Sequence, residues 1–294
     1  MHTHGPESQP EKSLPEGVRH IVAVGAGKGG VGKSTVAVNL AVALAADGLK
    51  AGLLDADVYG PNLPQMMGVL NHVPRLGEDG KIEPAEAHGV RLMSMGFLLE
   101  PDSPVIWRGP LLHGAMNQFL RDVRWGGLDV LVVDLPPGTG DVQLSIAQTV
   151  PLSGAVIVTT PQSIALSDVL KAAAMFRKLE VPIFGVVENM GDFVCPHCHQ
   201  SSRVFSHGAG GKEIRPAGAC GTPDAAGAGR IFAKKYGVPL LGEIPLDPAV
   251  CSAGEDGTPL CLAHPESASA KALRGVARAV AARLDAAAAR RQGG

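Results

Sequence analysis

The apolar positions of the chain fall into two kinds of run that alternate. Short unbroken stretches at 20–26 (HIVAVGA), 50–57, 89–96, 128–138, 154–160, 182–190 and 238–245 are rich in branched side chains and have strand length. Between them stand longer stretches with helical spacing: 34–48, closed by Gly48, then 111–123, 163–180, a short one at 229–237 and an Ala-rich one at 267–291. Strands buried on both faces and alternating with helices specify an α/β fold, a doubly wound, mostly parallel sheet with helices on both sides. Two stretches carry no such pattern. Residues 1–18 are polar and proline-bearing and read as a disordered lead-in to a single domain over 19–294. Residues 208–229 are dense in Gly, Ala and Pro and read as a long mobile loop inside that domain.

Composition narrows the classes. Of 294 residues, 45% are hydrophobic but only 4% aromatic, so the core is aliphatic. A net charge of −2 gives no global attraction to nucleic acid or anionic lipid. The first residues lack the apolar run of a signal peptide, and no stretch has the length of a spanning helix, so a cytoplasmic protein is expected. In a reducing compartment, Cys195, Cys198, Cys220, Cys251 and Cys261 read first as metal-binding or redox groups rather than as a disulfide framework.

The strongest chemical signal follows the first strand and opens the first helix. Gly27 to Ser34 match G-x-x-x-x-G-K-[ST]. Glycines let the backbone curl so that successive N–H groups, those of Gly27, Gly29, Gly30, Val31 and Gly32 onward, point at phosphate oxygens. The helix N-terminus adds partial positive charge. Lys33 is placed to reach the β- and γ-phosphates and Ser34 to ligate Mg²⁺, with Thr35 beside it. Lys28, inside the loop, is an extra cation. Aspartates stand at the carboxyl ends of strands, where ligands of parallel sheets bind: Asp55 and Asp57 after the second, Asp134 and then Asp141 after the fourth. Asp134 fits the role of holding Mg²⁺, directly or through water, and Asp57 that of orienting the attacking water.

The run "GKGGVGKST" resembles the deviant phosphate loop of the dimeric MinD/ParA/ArsA/nitrogenase iron-protein ATPases. With "LLDADVYGPN", "VIWRGPLL", "DVLVVDLPPGTGD", "GVVENM", "CPHC" and "YGVPLLGEIPLDP" in the same order, the chain looks like the Mrp/ApbC family of iron–sulfur carrier ATPases over about residues 20–265. That resemblance implies an ATP-hydrolysing homodimer in which Lys28 reaches the partner's phosphates, Asp57 lies in switch I, Asp134 to Gly138 form switch II, and Asn189 contacts the adenine. It also implies delivery of clusters to apo iron–sulfur proteins, contact with cluster-assembly proteins, and no nucleic-acid or membrane partner. One departure stands out: 212–228, with Cys220, looks like an insertion after the Gly-rich "FSHGAGG".

The pair Cys195 and Cys198 is by itself half a site. A redox dithiol wants its first cysteine at a helix N-terminus, but the flanking sequence is turn-rich. A zinc site would borrow His199 or His207. A [4Fe–4S] cluster takes four thiolates, which two copies of the pair supply across a two-fold axis. Cys251 and Cys261 read as structural positions in a loop. A spatial regulator of the MinD/ParA kind is the alternative function, because Leu273, Val276, Val280 and Leu284 form an apolar stripe beside Lys271, Arg274, Arg278 and Arg283. A phosphate-transferring metabolic enzyme ranks last, having no use for Lys28 or the cysteine pair.

Overall fold

A computed structural model describes residues 12–57, 60–98, 109–138, 141–162, 165–195, 201–202 and 227–292. Numbering only the strands of the main sheet and the long helices, the order is β1 (Ile21–Ala26), α1 (Lys33–Ala46), β2 (Ala51–Asp55), β3 (Ala85–Ala87), β4 (Val90–Ser94), α2 (Gly109–Arg121), β5 (Val130–Asp134), α3 (Asp141–Thr149), β6 (Gly154–Thr159), α4 (Ala165–Lys178), β7 (Ile183–Glu188), α5 (Ala228–Tyr236), β8 (Leu240–Glu243) and α6 (Ala268–Gln292). The 8-stranded sheet runs β8-β7-β6-β1-β5-β2-β4-β3. Every pairing is parallel except that of the β3 edge with β4.

Alternation along the strands builds two cores. In β1, Val22 and Val24 pack beneath α1 and α6, whereas Ile21 and Ala23 face α2, α3 and α4. The first helix is apolar nearly all round because it is covered nearly all round, with Val36 to Leu44 buried between the sheet and α6. The stripe of α6 is part of the same core: Leu273, Val276, Val280 and Leu284 are all buried. It is therefore not an exposed membrane-facing surface. Among the described residues no helix is long and apolar enough to cross a membrane.

Three expectations are corrected. The lead-in is not unstructured up to residue 18: Pro15 and Val18 are buried, Val18 bridges to Leu128, and Leu128 N–H donates to the Gly17 carbonyl over 2.8 Å. Residues 1–11 lie outside the described set, as do 203–226, which contain most of the expected loop, Cys220 and His207. That loop does not reach 229, because Gly227 caps α5 and Ala228 opens it. Cys251 and Cys261 are not in a loop. Each sits in a short helix, Ala249–Glu255 and Leu260–Ala263. Helix α3 and edge strand β3, neither expected, complete the described layers.

Candidate functional site

Parallel register brings the chemistry to one edge. Val24 of β1 lies level with Asp134 of β5, and Asp134 lies level with Asp55 of β2. The carboxyl ends of these central strands therefore finish together beside the start of the phosphate loop at Gly27.

The loop is held by close contacts from both sides. A Cβ at Gly27 would stand 2.0 Å from the Asp168 carbonyl oxygen of α4, so only glycine lets the loop lie against that helix. Gly32, the N-cap of α1, has φ 80°, a left-handed conformation in which a Cβ would also meet the Asn189 amide at 2.1 Å. Gly29 and Gly30 are exposed, and Val31 is buried. Lys28 is half-buried and pairs with no described residue.

Lys33 is 6% exposed and lies among the carboxylates. Its Nζ is 2.7 Å from Asp134 Oδ1 and 3.7 Å from Asp57 Oδ2. Ser34 Oγ donates to Asp134 Oδ2 over 2.6 Å. The lysine, hydroxyl and carboxylates thus converge at the N-terminus of α1. The oxygen donors of Ser34 and Asp134 beside a helix N-terminus fit a hard cation such as Mg²⁺ with an anionic polyphosphate. On polyphosphate binding, Lys33 has a carboxylate to leave and phosphate oxygens to join.

Asp55 is fully buried and accepts from Ser94 Oγ (2.8 Å), Asp57 N–H (3.1 Å) and Leu63 N–H (3.4 Å). Burial, with the neighbouring Asp134 charge adding to it, raises its pKa to about 7; the Ser94 hydrogen bond works the other way. Burial also raises Asp134, against the attraction of Lys33. The consequence for stability has a definite sign. Between the unfolded value near 4 and about 7, the native state binds the proton and the unfolded state does not, so stability falls as pH rises through that window. Asp55→Asn is expected to flatten this fall between pH 5 and pH 8, measured by thermal melting. An unchanged pH slope in the variant would remove Asp55 as its source.

Three polar residues not anticipated in these roles support the site. Asn189, 7% exposed, donates from Nδ2 to the Val31 carbonyl over 2.9 Å and so braces the phosphate loop. Gln143 of α3 donates to the Pro136 carbonyl and ties the turn after β5 to that helix. Glu188, at the end of β7, accepts from Gly229 N–H over 2.7 Å and caps α5. Sequence gives one signal for Glu188 and Asn189: polar residues ending an otherwise apolar strand, "GVVEN".

The described cysteines have different settings. Cys195 is half-buried and directly follows Phe193–Val194, which pairs with Ser201–Ser202. Cys198 and His199 lie outside the described residues, as do Trp107 and Arg108; Asp141 opens α3. Cys261 is buried and its thiol is pushed up to about 11 by desolvation. Cys251 is exposed beside Glu255. Among the described residues no group of three or more His, Cys, Asp or Glu is arranged to hold a metal ion.

A family model described as ParA, NUBPL iron-transfer P-loop NTPase, matches residues 17–281. The chain is 52% identical over 274 residues to the iron-sulfur cluster carrier protein of Deinococcus radiodurans, covering 93% of this chain and 72% of that one. It is 47% identical over 277 residues to the mouse iron-sulfur cluster transfer protein NUBPL, covering 94% and 81%. Among solved structures, a nucleotide-binding protein from Archaeoglobus fulgidus in complex with ADP superposes with a TM-score of 0.68 at 35% identity, over 82% of this chain and 88% of that one. The MinD cell-division ATPase of Pyrococcus furiosus shares the fold, with a TM-score of 0.61 at 23% identity over 89% and 98%.

Proposed function

The chain belongs to the ParA/NUBPL family of iron-transfer P-loop NTPases, and on that premise we propose that it is an ATP-dependent carrier of iron–sulfur clusters. In this reading it is a cytoplasmic homodimer that holds a [4Fe–4S] cargo between subunits, on Cys195 and Cys198 of each, delivers it to apo iron–sulfur proteins and contacts cluster-assembly proteins. The observation that carries the reading is the placement of Cys195. It directly follows the short strand Phe193–Val194, a few residues along the chain from Asn189, whose side chain is bonded to the phosphate loop.

Nucleotide chemistry follows from the site. Mg²⁺, when bound, would supply charge neutralisation to the polyphosphate. Lys33 and the N–H groups of the loop from Gly27 to Thr35 hold the polyphosphate, Ser34 and Asp134 hold the metal, and Asp57 orients water. Lys28, unpaired with any described residue, has the freedom to reach a second subunit's phosphates. Asn189 contributes to base binding in addition to its loop contact. ATP serves chiefly as a switch between dimer geometries, so partner-free turnover is slow.

Anaerobic reconstitution with iron and sulfide, followed by absorption spectra and metal counting, tests the reading. The expected result is about four irons per dimer, as one [4Fe–4S] cluster shared by two subunits requires. One zinc per monomer, retained after purification, would replace the bridge by a mononuclear site.

A further inference from the structure

The Asn189–Cys195 segment ties the phosphate loop to the cysteine strand by hydrogen bonds at nearly every step. Asn189 N–H donates to the Thr159 carbonyl over 2.8 Å, and its Nδ2 donates to Val31 in the loop. Gly191 N–H donates to Ile244 over 2.9 Å, Leu246 N–H donates to Asp192 over 3.0 Å, and Phe193 bridges to Leu246. Val194 pairs with Ser201, and Cys195 is next. One residue in this run departs from ordinary backbone. Met190 has φ 58°, a left-handed corner that a non-glycine residue occupies only when its surroundings hold it there. Its methyl lies 3.8 Å from the place a Cβ would take on Gly32, so the corner packs against the phosphate loop itself.

We infer that Asn189 and Met190 are positioning residues that couple nucleotide binding at the phosphate loop to the placement of Cys195. Asn189 senses the Val31 carbonyl, and the fixed corner at Met190 turns a shift there into a shift of the 191–195 strand. The inference rests on the carrier reading for its purpose, but its test does not use iron. The route bypasses switch II, which Gln143 anchors to a different helix. It needs a bistable element biased by both ends, and the strained corner between two hydrogen-bonded stretches is that element.

The test follows labelling of Cys195 in metal-free full-length chain carrying Cys198→Ser, Cys220→Ser and Cys251→Ser; the buried Cys261 labels slowly. Rates are compared without nucleotide and with saturating Mg²⁺ and a non-hydrolysable ATP analogue. The expected change in the parent is about fivefold or more, the lower range of allosteric coupling. Asn189→Ala is expected to abolish the response. Met190→Gly keeps the Asn189 side chain but loosens the corner, and at saturating nucleotide is expected to lose most of the response. If Asn189→Ala binds nucleotide too weakly to saturate, Met190→Gly decides alone. A parent rate indifferent to nucleotide, or a full response in a variant that binds it, overturns the coupling. Failure of iron reconstitution alongside an intact, variant-sensitive labelling response would overturn the cargo and leave the coupling standing.

Discussion

Lys33→Met is expected to abolish ATP hydrolysis and at the same time to lower the stability of the nucleotide-free chain. The two losses have different causes. Methionine keeps the apolar stem but removes the charge that lies 2.7 Å from Asp134 Oδ1. Hydrolysis loses a preorganised cation at the transferring phosphoryl group, an effect on the order of 10² to 10³ in rate when one such donor is removed. Weaker nucleotide binding adds to it. Stability falls because Asp134, fully buried, is left without its counter-charge. Breaking one side of a buried pair costs about 3–5 kcal/mol when the remaining group cannot adapt. Asp134 can adapt by binding a proton, since burial already raises its pKa and the lysine's opposing attraction is gone. The stability loss is therefore expected to be larger at pH 8 than at pH 6. Lys33→Met combined with Asp134→Asn should recover much of the melting temperature and none of the hydrolysis. If the single variant melts like the parent at pH 8, the lysine is not compensating Asp134.

Much of this architecture is legible in the sequence because two strong physical signals coincide. Unbroken branched runs such as 130–134 can be satisfied only by burial on both faces, and the phosphate-loop spacing fixes where a strand must end and a helix begin. What was not legible is of three kinds. Edge strand β3 is only three residues long, with no apolar run, and exists because β4 offers it a partner. Helix α3 follows the turn after β5 with a mixed sequence, and its place is set by packing against α2 and by Gln143 reaching Pro136. The order of residues 14–18 comes from contacts more than a hundred positions away, at 126–129, which no local pattern encodes.

The site shows the same division. Gly27, Lys33, Ser34 and Asp134 could be placed from spacing because chemistry demands those residue types in that order. Asn189 could not. Resemblance gave it a base-binding role, whereas its hydrogen bond to Val31 depends on how β7 ends beside the loop in three dimensions. Nor does a sequence show that Asp55 and Asp134 are register partners in neighbouring buried strands, where burial raises both of their pKa values and the Asp134 charge adds to the rise at Asp55.

Cys195→Ala or Cys198→Ala is expected to remove all of the reconstituted iron while sparing ATP hydrolysis, and the reason is a count. One chain contributes two thiolates at this position. A bridged cluster with four ligands therefore loses half of them when either cysteine is removed from both subunits, and a cluster held by two thiolates is open to solvent and oxidant. Cys220→Ser, Cys251→Ser and Cys261→Ser should each keep the iron; Cys261 is buried beside α6, with its thiol pushed up to about 11 and so poorly suited to act as a thiolate. Mixed dimers make the argument stricter. A wild-type subunit paired with a Cys195→Ala, Cys198→Ala subunit has two thiolates in total, so a bridged site should be empty, whereas a site complete within one chain should be half-filled. Iron per dimer in that purified heterodimer separates the two arrangements directly, and a half-filled result would mean that the pair finds its remaining ligands in its own chain.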